Sequence, residues 1–212
     1  MGAIIAIVLV ISLILLFKLL NKNKPSAAEI KGLEGEMRVN KILKAMKYTY
    51  FHDTLLKQGP VSSQFDHIVI FPDKTVVVIE TKNKDGFISG SASDDRWTQV
   101  IGKNRYQFYN PILQNQGHIK MLYKKMDTHK LYGYKILSLV VFTSNKSTLR
   151  DTPSGVIHIN ELERTLRTLY KKKLFNRSRK FKKMLLFEDH SRNKREVQKH
   201  KEFAMRARYH KK

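Results

Sequence analysis

A mixed α/β layer fold, ordered helix, three strands, helix, strand, is what this sequence predicts. Three observations point to it. Ala27 to Met46 repeats apolar residues at helical spacing. Residues 65–71 and 75–82 are two β-prone runs joined by the turn-rich Pro72-Asp73-Lys74, which predicts a hairpin. Asn110 followed by Pro111 is a capping side chain with proline at the first helical position, and the apolar run 136–142 follows that second helix. Elements alternating in this way pack as layers around one core.

Taken in order, Gly2 to Phe17 is apolar apart from Ser12, and Leu19-Leu20 extend the run past Lys18. A helix of about 18 such residues is long enough for the hydrocarbon core of a bilayer, so a retained transmembrane anchor is expected. No basic residue precedes the run and no small-x-small site directly follows it, which disfavours a cleaved signal peptide. Lys18, Lys22 and Lys24 lie on its C-terminal side, which predicts a single-pass membrane protein with its C-terminal domain in the cytoplasm.

A short polar linker, 21–26, leads to the first helix, whose stripe includes Ile30, Leu33, Met37, Val39, Ile42, Leu43 and Met46. Gly32 and Gly35 are costly inside a helix and suggest close approach of another backbone. Tyr48 to Leu56 is a strand, the hairpin follows, and 83–97, rich in Gly, Ser and Asp, reads as an irregular loop. The second helix runs to about Met126, 136–142 is a buried strand, and 157–159 is a short extra strand. Asn160 with Glu163 resembles a capping box opening a helix to about Lys173. Residues 174–212 are dense in charge, which predicts marginal helices or disorder. The expected organisation is an anchor with linker (1–24), a folded domain (25–173) and a basic tail (174–212).

Composition narrows the chemistry. Zero cysteines exclude disulfides, thiol nucleophiles and thiolate metal sites, so a bound metal would need oxygen or imidazole ligands. Formal net charge is +23, and residues 161–212 hold 19 lysines and arginines against 6 acids. Such a chain is attracted to polyanions, meaning nucleic acid or anionic lipid. No Gly-rich phosphate loop, zinc pattern or nucleophile elbow occurs, and no small-molecule cofactor is expected.

Glu80-Thr81-Lys82 ends the apolar run Val76 to Ile79. Its acid and amine, two residues apart on a strand, share a face. If residues 72–74 form the hairpin loop, Asp66 lies directly opposite Glu80, with Cβ atoms about 5 Å apart. Two carboxylates so placed repel unless a cation lies between them. A two-residue loop would send Asp66 to the other face, and the bland alternative is a surface ion pair between Glu80 and Lys82. The metal reading assigns Asp66, Glu80 and the Thr81 carbonyl as ligands of Mg²⁺ (or Mn²⁺), which takes a few carboxylates plus water and phosphate oxygens. Lys82 would orient water or stabilise charge on the phosphate. Glu36 could hold a metal-bound water or a second ion, with Glu29, seven residues earlier, a lesser candidate. Gln114 and His118, one helical turn apart, could position the phosphate or the water, His118 as a substrate-binding group. Trp97 is expected to pack in the core or a loop rather than stack on a base.

Gly32-Leu33-Glu34-Gly35-Glu36, Gln64 to Val69, Val78 to Asn83, Trp97, and Asn110-Pro111 with Gln114 and His118 together resemble the nuclease-related domain (NERD). That family is assigned by resemblance to the PD-(D/E)XK nuclease superfamily, which implies a restriction-endonuclease-like core over roughly residues 28–145. The resemblance implies that Glu36 matches the first-helix acid, Asp66 the hairpin acid, Glu80 and Lys82 the acid-x-lysine signature, and Gln114 the accessory glutamine. Phe65 stands where the superfamily name has proline.

Three functions then compete. One is a membrane-tethered, Mg²⁺-dependent nuclease acting on DNA. A second is a non-catalytic nucleic-acid-binding or scaffold protein that keeps the fold. A third is a membrane-surface protein whose basic tail contacts anionic lipid.

Overall fold

The computed structural model describes residues 25–170 and 178–209. Helix α1 (Ala27–Ala45) starts in a capping box: Glu29 N–H donates to Ser26 Oγ, and Ser26 N–H donates to the Glu29 carboxylate at 2.8 Å. Strands β1 (Thr49–Gln58), β2 (Val61–Ile70) and β3 (Thr75–Lys82) form an antiparallel meander. β4 (Gly86–Ser89), β5 (Arg96–Ile101) and β6 (Asn104–Tyr109) follow, and then α2 (Pro111–Thr128). β7 (Lys135–Phe142), β8 (Ser147–Arg150) and β9 (Val156–His158) lead through a 3-10 turn (Ile159–Glu161) into α3 (Leu162–Leu169). Two further helices, α4 (Arg179–Glu188) and α5 (Lys194–Tyr209), complete the described chain.

The main sheet has the order β1-β2-β3-β7-β9, with β7 and β9 parallel to β3. Alternation divides its residues between two cores. Val69, Phe71, Val77, Ile79, Leu139 and Val141 pack against Val39 and Leu43 of α1 and Leu162 and Leu166 of α3. Ile68, Ile70, Val76 and Val78 face the other way, toward Met121, Leu122 and Met126 of α2 and Phe181, Met184 and Leu185 of α4. The result is a helix–sheet–helix sandwich with β3 buried along its length.

Several expectations need correction. Residues 83–97 are not an irregular loop; they begin a second, mixed sheet of order β6-β5-β4-β8. Its polar residues are spent on clasps: Asn110 Nδ2 donates to the carbonyls of Ser91, Ala92 and Asp94, and Trp97 Nε1 donates to Ser91 O at 2.8 Å. Trp97 is buried, with Phe142 stacked parallel at 6.3 Å. Asn160 and Glu163 do not cap α3; the chain enters it through the 3-10 turn, where the His158 N–H donates to Glu161 Oε1 at 3.2 Å. The transmembrane part of the expected fold, with its single-pass placement and cytoplasmic domain, is withdrawn. Among the described residues no helix is long and apolar enough to cross a membrane, since even the 19-residue α1 carries Glu29, Glu34 and Glu36 with Lys31, Arg38, Lys41 and Lys44. Residues 1–24 lie outside the described residues.

Candidate active site

The site gathers where β2 and β3 part. Phe71 N–H donates to Thr75 O at 2.8 Å across the loop 72–74, and the ladder runs from Ile70↔Val76 to His67↔Ile79. This is the register of the three-residue loop. The ladder stops one position short of Asp66 and Glu80, and there the Asp66 side chain takes over: its Oδ2 accepts the Thr81 N–H at 2.7 Å.

Glu80, 1% exposed, points from the buried strand toward α2. Its Oε1 accepts from Lys82 Nζ at 2.7 Å, and its Oε2 lies 3.2 Å from His118 Nε2. Lys82 Nζ also donates to Gln114 Oε1 at 3.0 Å. The spacing of Gln114 and His118 on α2 therefore places one against the lysine and the other against the acid. His118 Nδ1 lies 2.5 Å from Ser63 Oγ, and its ring packs against Phe65 with centroids 5.1 Å apart. With Nε2 facing a carboxylate, the consistent tautomer donates to Glu80 and accepts from Ser63.

Glu36 reaches the same region because α1 lies close to the sheet at Gly35. A Cβ there would meet Thr143 Oγ1 at 2.7 Å and the Asn83 side chain at 2.9 Å. Gly32 serves no such approach, with nothing within 4 Å of its would-be Cβ. Glu29 is the capping acid of α1 and is not brought to the site. Ile30, Leu33 and Met37 are exposed, so α1 buries Gly35, Val39 and Leu43 instead of the broader stripe read from sequence.

Charge at the site is unevenly compensated. Burial pushes the Asp66 carboxyl well above the usual carboxylate range, and Glu80 and Glu36 push it further. Glu36 is raised from 4.5 to about 7, by burial first and then by Asp53 and Glu80. Glu80 differs: burial raises it, but the Lys82 ammonium and His118 more than offset this, so its carboxyl stays below the ordinary value. The cluster is thus one carboxylate matched by lysine beside two acids that lack enough positive charge to ionise readily.

An oxygen-rich donor set with excess negative charge fits a hard divalent cation. Among the described residues no three His, Asp or Glu side chains form a ready-made metal cage. That still suits magnesium, which keeps several waters and completes its shell with substrate phosphate oxygens. Asp66, Glu80 and the Thr81 peptide are the groups that would hold it.

Two further residues belong here that sequence reasoning missed. Asp53 on β1 has φ +49, and the β1–β2 ladder skips the Asp53–Asp66 position between His52↔His67 and Thr54↔Phe65. The Gln64 amide donates to the Asp53 carboxylate, whose charge raises Glu36. Ser63 steers the His118 ring. Neither carries a sequence signal, since an acid or a serine on an edge hairpin is ordinary.

The family model of the nuclease-related domain matches residues 31–143, more than half of the 212-residue chain. An uncharacterized protein of Bacillus anthracis is 38% identical over 122 residues, which cover 54% of this chain and 57% of that relative. The chain therefore matches little more than half the length of that curated relative. No solved structure matches the chain. The matched span carries most of α1, the β2–β3 hairpin with Asp66, Glu80 and Lys82, and the α2 residues Gln114 and His118, and the chain belongs to the nuclease-related domain family.

Proposed function

We propose that this protein is a divalent-metal-dependent nuclease that hydrolyses phosphodiester bonds in DNA, with Asp66, Glu80, Lys82, Glu36 and Gln114 at its centre. One observation carries the reading: Lys82 is held between Glu80 (2.7 Å) and Gln114 (3.0 Å), beside an acid pair with too little positive charge. An ammonium fixed by two acceptors is pre-organised to face developing negative charge.

A bound Mg²⁺ or Mn²⁺ would supply Lewis acidity toward the phosphate and a more acidic water. The protein's own groups do the rest. Asp66 and Glu80 would supply the oxygens that hold the cation, without which their charge would repel the phosphate. Glu36, titrating near neutrality, is matched to accepting a proton from the attacking water, as a general base should be near its working pH. Lys82 faces the charge that grows on the phosphate oxygens as water adds and the bond to the leaving oxygen breaks. Gln114 keeps the lysine aimed, and His118 holds Glu80 from the other side while its partner Ser63 fixes the ring.

The test is cleavage of labelled DNA by the purified full-length protein in Mg²⁺ or Mn²⁺, with EDTA as control. Lys82→Ala and Asp66→Ala should each lower the rate by roughly 10²-fold or more. Undiminished cleavage in both variants removes this site from the chemistry.

A further inference from the structure

The second sheet has a face that the chemistry of the site does not use. Its registers oppose Arg96 to Tyr109, Val100 to both Arg105 and Phe87, and Ser89 to Arg150. Directly opposed residues share a face, so Arg96, Arg105, Arg150, Phe87 and Tyr109 lie on one side of this sheet. The other side carries Trp97 and Ile88, both buried against Phe142 and Val140. On the arginine side no position of the register is buried: the three arginines are exposed, Phe87 is 47% exposed and Tyr109 39%. None of the paired positions on that side carries a carboxylate, because Thr98, Gln107, Ser89 and Thr148 occupy the remaining places. The Arg150 guanidinium lies 4.6 Å from the Phe87 ring centroid.

We propose that this face is a docking platform for a nucleic-acid strand with unpaired bases, resting on the nuclease reading for its link to substrate. Arginines interleaved with exposed aromatic rings on a sheet are the combination that grips phosphates while bases stack. A face whose paired positions hold arginine and no acid is complementary to a polyanion, and the exposed Phe87 suits bases free to leave a helix. The sheet is also placed for it. β4 begins four residues after Lys82, and β6 ends at Tyr109, directly before the Asn110 cap of the helix that presents Gln114. The chain thus joins this sheet to the site at both ends of residues 86–109.

Binding of a fluorescein-labelled single-stranded DNA oligonucleotide to the full-length protein, measured by anisotropy in EDTA across a salt series, tests this. The variant Arg96→Gln/Arg105→Gln/Arg150→Gln should bind about tenfold or more weakly. The slope of log affinity against log salt should shrink by about 2, since each phosphate contact on a single strand contributes about 0.7. Phe87→Ala should weaken binding roughly 5- to 100-fold with the slope unchanged, the signature of a lost stack. Lys44→Gln/Lys124→Gln/Lys135→Gln removes the same charge from other exposed positions and should stay within about threefold of the parent. Equal losses in the two triple variants, unchanged binding by the arginine variant, or stronger capture by phosphatidylserine vesicles than by the oligonucleotide would each overturn the platform. If the arginine variant loses binding while the parent cuts nothing in any divalent metal, the platform stands and the nuclease reading falls. If the parent cuts DNA and the arginine variant binds normally, the reverse holds.

Discussion

Lys82 Nζ lies 2.7 Å from Glu80 Oε1, two residues back on the same strand, and Glu80 is almost wholly buried. A buried carboxylate stripped of its cation is strongly unfavourable unless it takes up a proton. Lys82→Met should therefore destabilise the protein in a pH-dependent way. Glu80 is now held below its ordinary value, so its pairing stabilises above about pH 4.5 and fades as pH falls through the folded value. Thermal melts should show the variant well below the parent at pH 8, by on the order of 3 kcal/mol, with the gap closing toward pH 4. A gap independent of pH would mean that the ion pair is not its source.

Glu36 gives the opposite sign. Its carboxyl moves from 4.5 to about 7 on folding. Between those values the unfolded chain has released the proton and the folded chain keeps it, so stability falls as pH rises through this window. Glu36→Gln should then be more stable than the parent above pH 7, by on the order of 1–2 kcal/mol or roughly 3–6 °C. Near pH 4 the two should melt together. DNA cleavage should fall in the same variant, so activity and stability move in opposite directions.

Divalent cation should relieve the same strain. Mg²⁺ or Mn²⁺ at a hundred times its Kd stabilises by about 2.7 kcal/mol, roughly 5–10 °C in a chain of this size. Differential scanning fluorimetry should show that shift at pH 8 and a smaller one at pH 5, where Glu36 is protonated and burial with acidic neighbours favours the neutral form of Asp66. Asp66→Asn should abolish it. A shift equal in Asp66→Asn would place the cation elsewhere.

Much of this site was legible because a strand has period two and a hairpin has a register. Once 72–74 is the loop, the relation of Asp66 to Glu80 and of Glu80 to Lys82 follows from counting. Helical spacing did the same for Gln114 and His118. What was hidden depends on tertiary contact. Glu29 and Glu36 are equivalent by helical period, yet the chain entering α1 at Ser26 claims Glu29 for its cap. The short strands 86–89 and 96–101 carry weak patterns and are stabilised by Asn110 and Trp97 reaching back to a turn that only the fold brings near. Asp53 needs a break in the ladder that no composition announces.

The two glycines of α1 separate sequence intuition from packing. Both are costly in a helix interior, but only Gly35 is pressed against the sheet. Gly35→Ala must push Thr143 or Asn83 aside, which should cost about 1–3 kcal/mol and reduce cleavage by moving Glu36. Gly32→Ala meets nothing and should stabilise by up to about 1 kcal/mol. Chemical denaturation of the two variants checks the contrast, and equal effects would remove the close approach as the reason for Gly35.

The segment after residue 178 is basic, yet its first helix belongs to the core. Phe181, Met184 and Leu185 of α4 pack with Ile68, Ile70, Val76 and Leu122. The helix is pinned by Glu188, whose carboxylate accepts from the buried Lys125 at 2.6 Å and lies 2.7 Å from His129 Nε2. Phe181→Ala should cost about 3–5 kcal/mol, the usual range for emptying a buried aromatic site. Glu188→Gln should cost about 3 kcal/mol by leaving Lys125 without its counter-charge. Although burial raises Glu188, Lys125 and His129 hold its carboxyl below the ordinary value. Its contribution is therefore complete above about pH 4.5 and is lost as pH falls through the folded value. Melts of Glu188→Gln and parent should accordingly converge in acid, whereas the Phe181→Ala deficit should persist at every pH. If α4 were a loosely attached tail, neither substitution would move the transition.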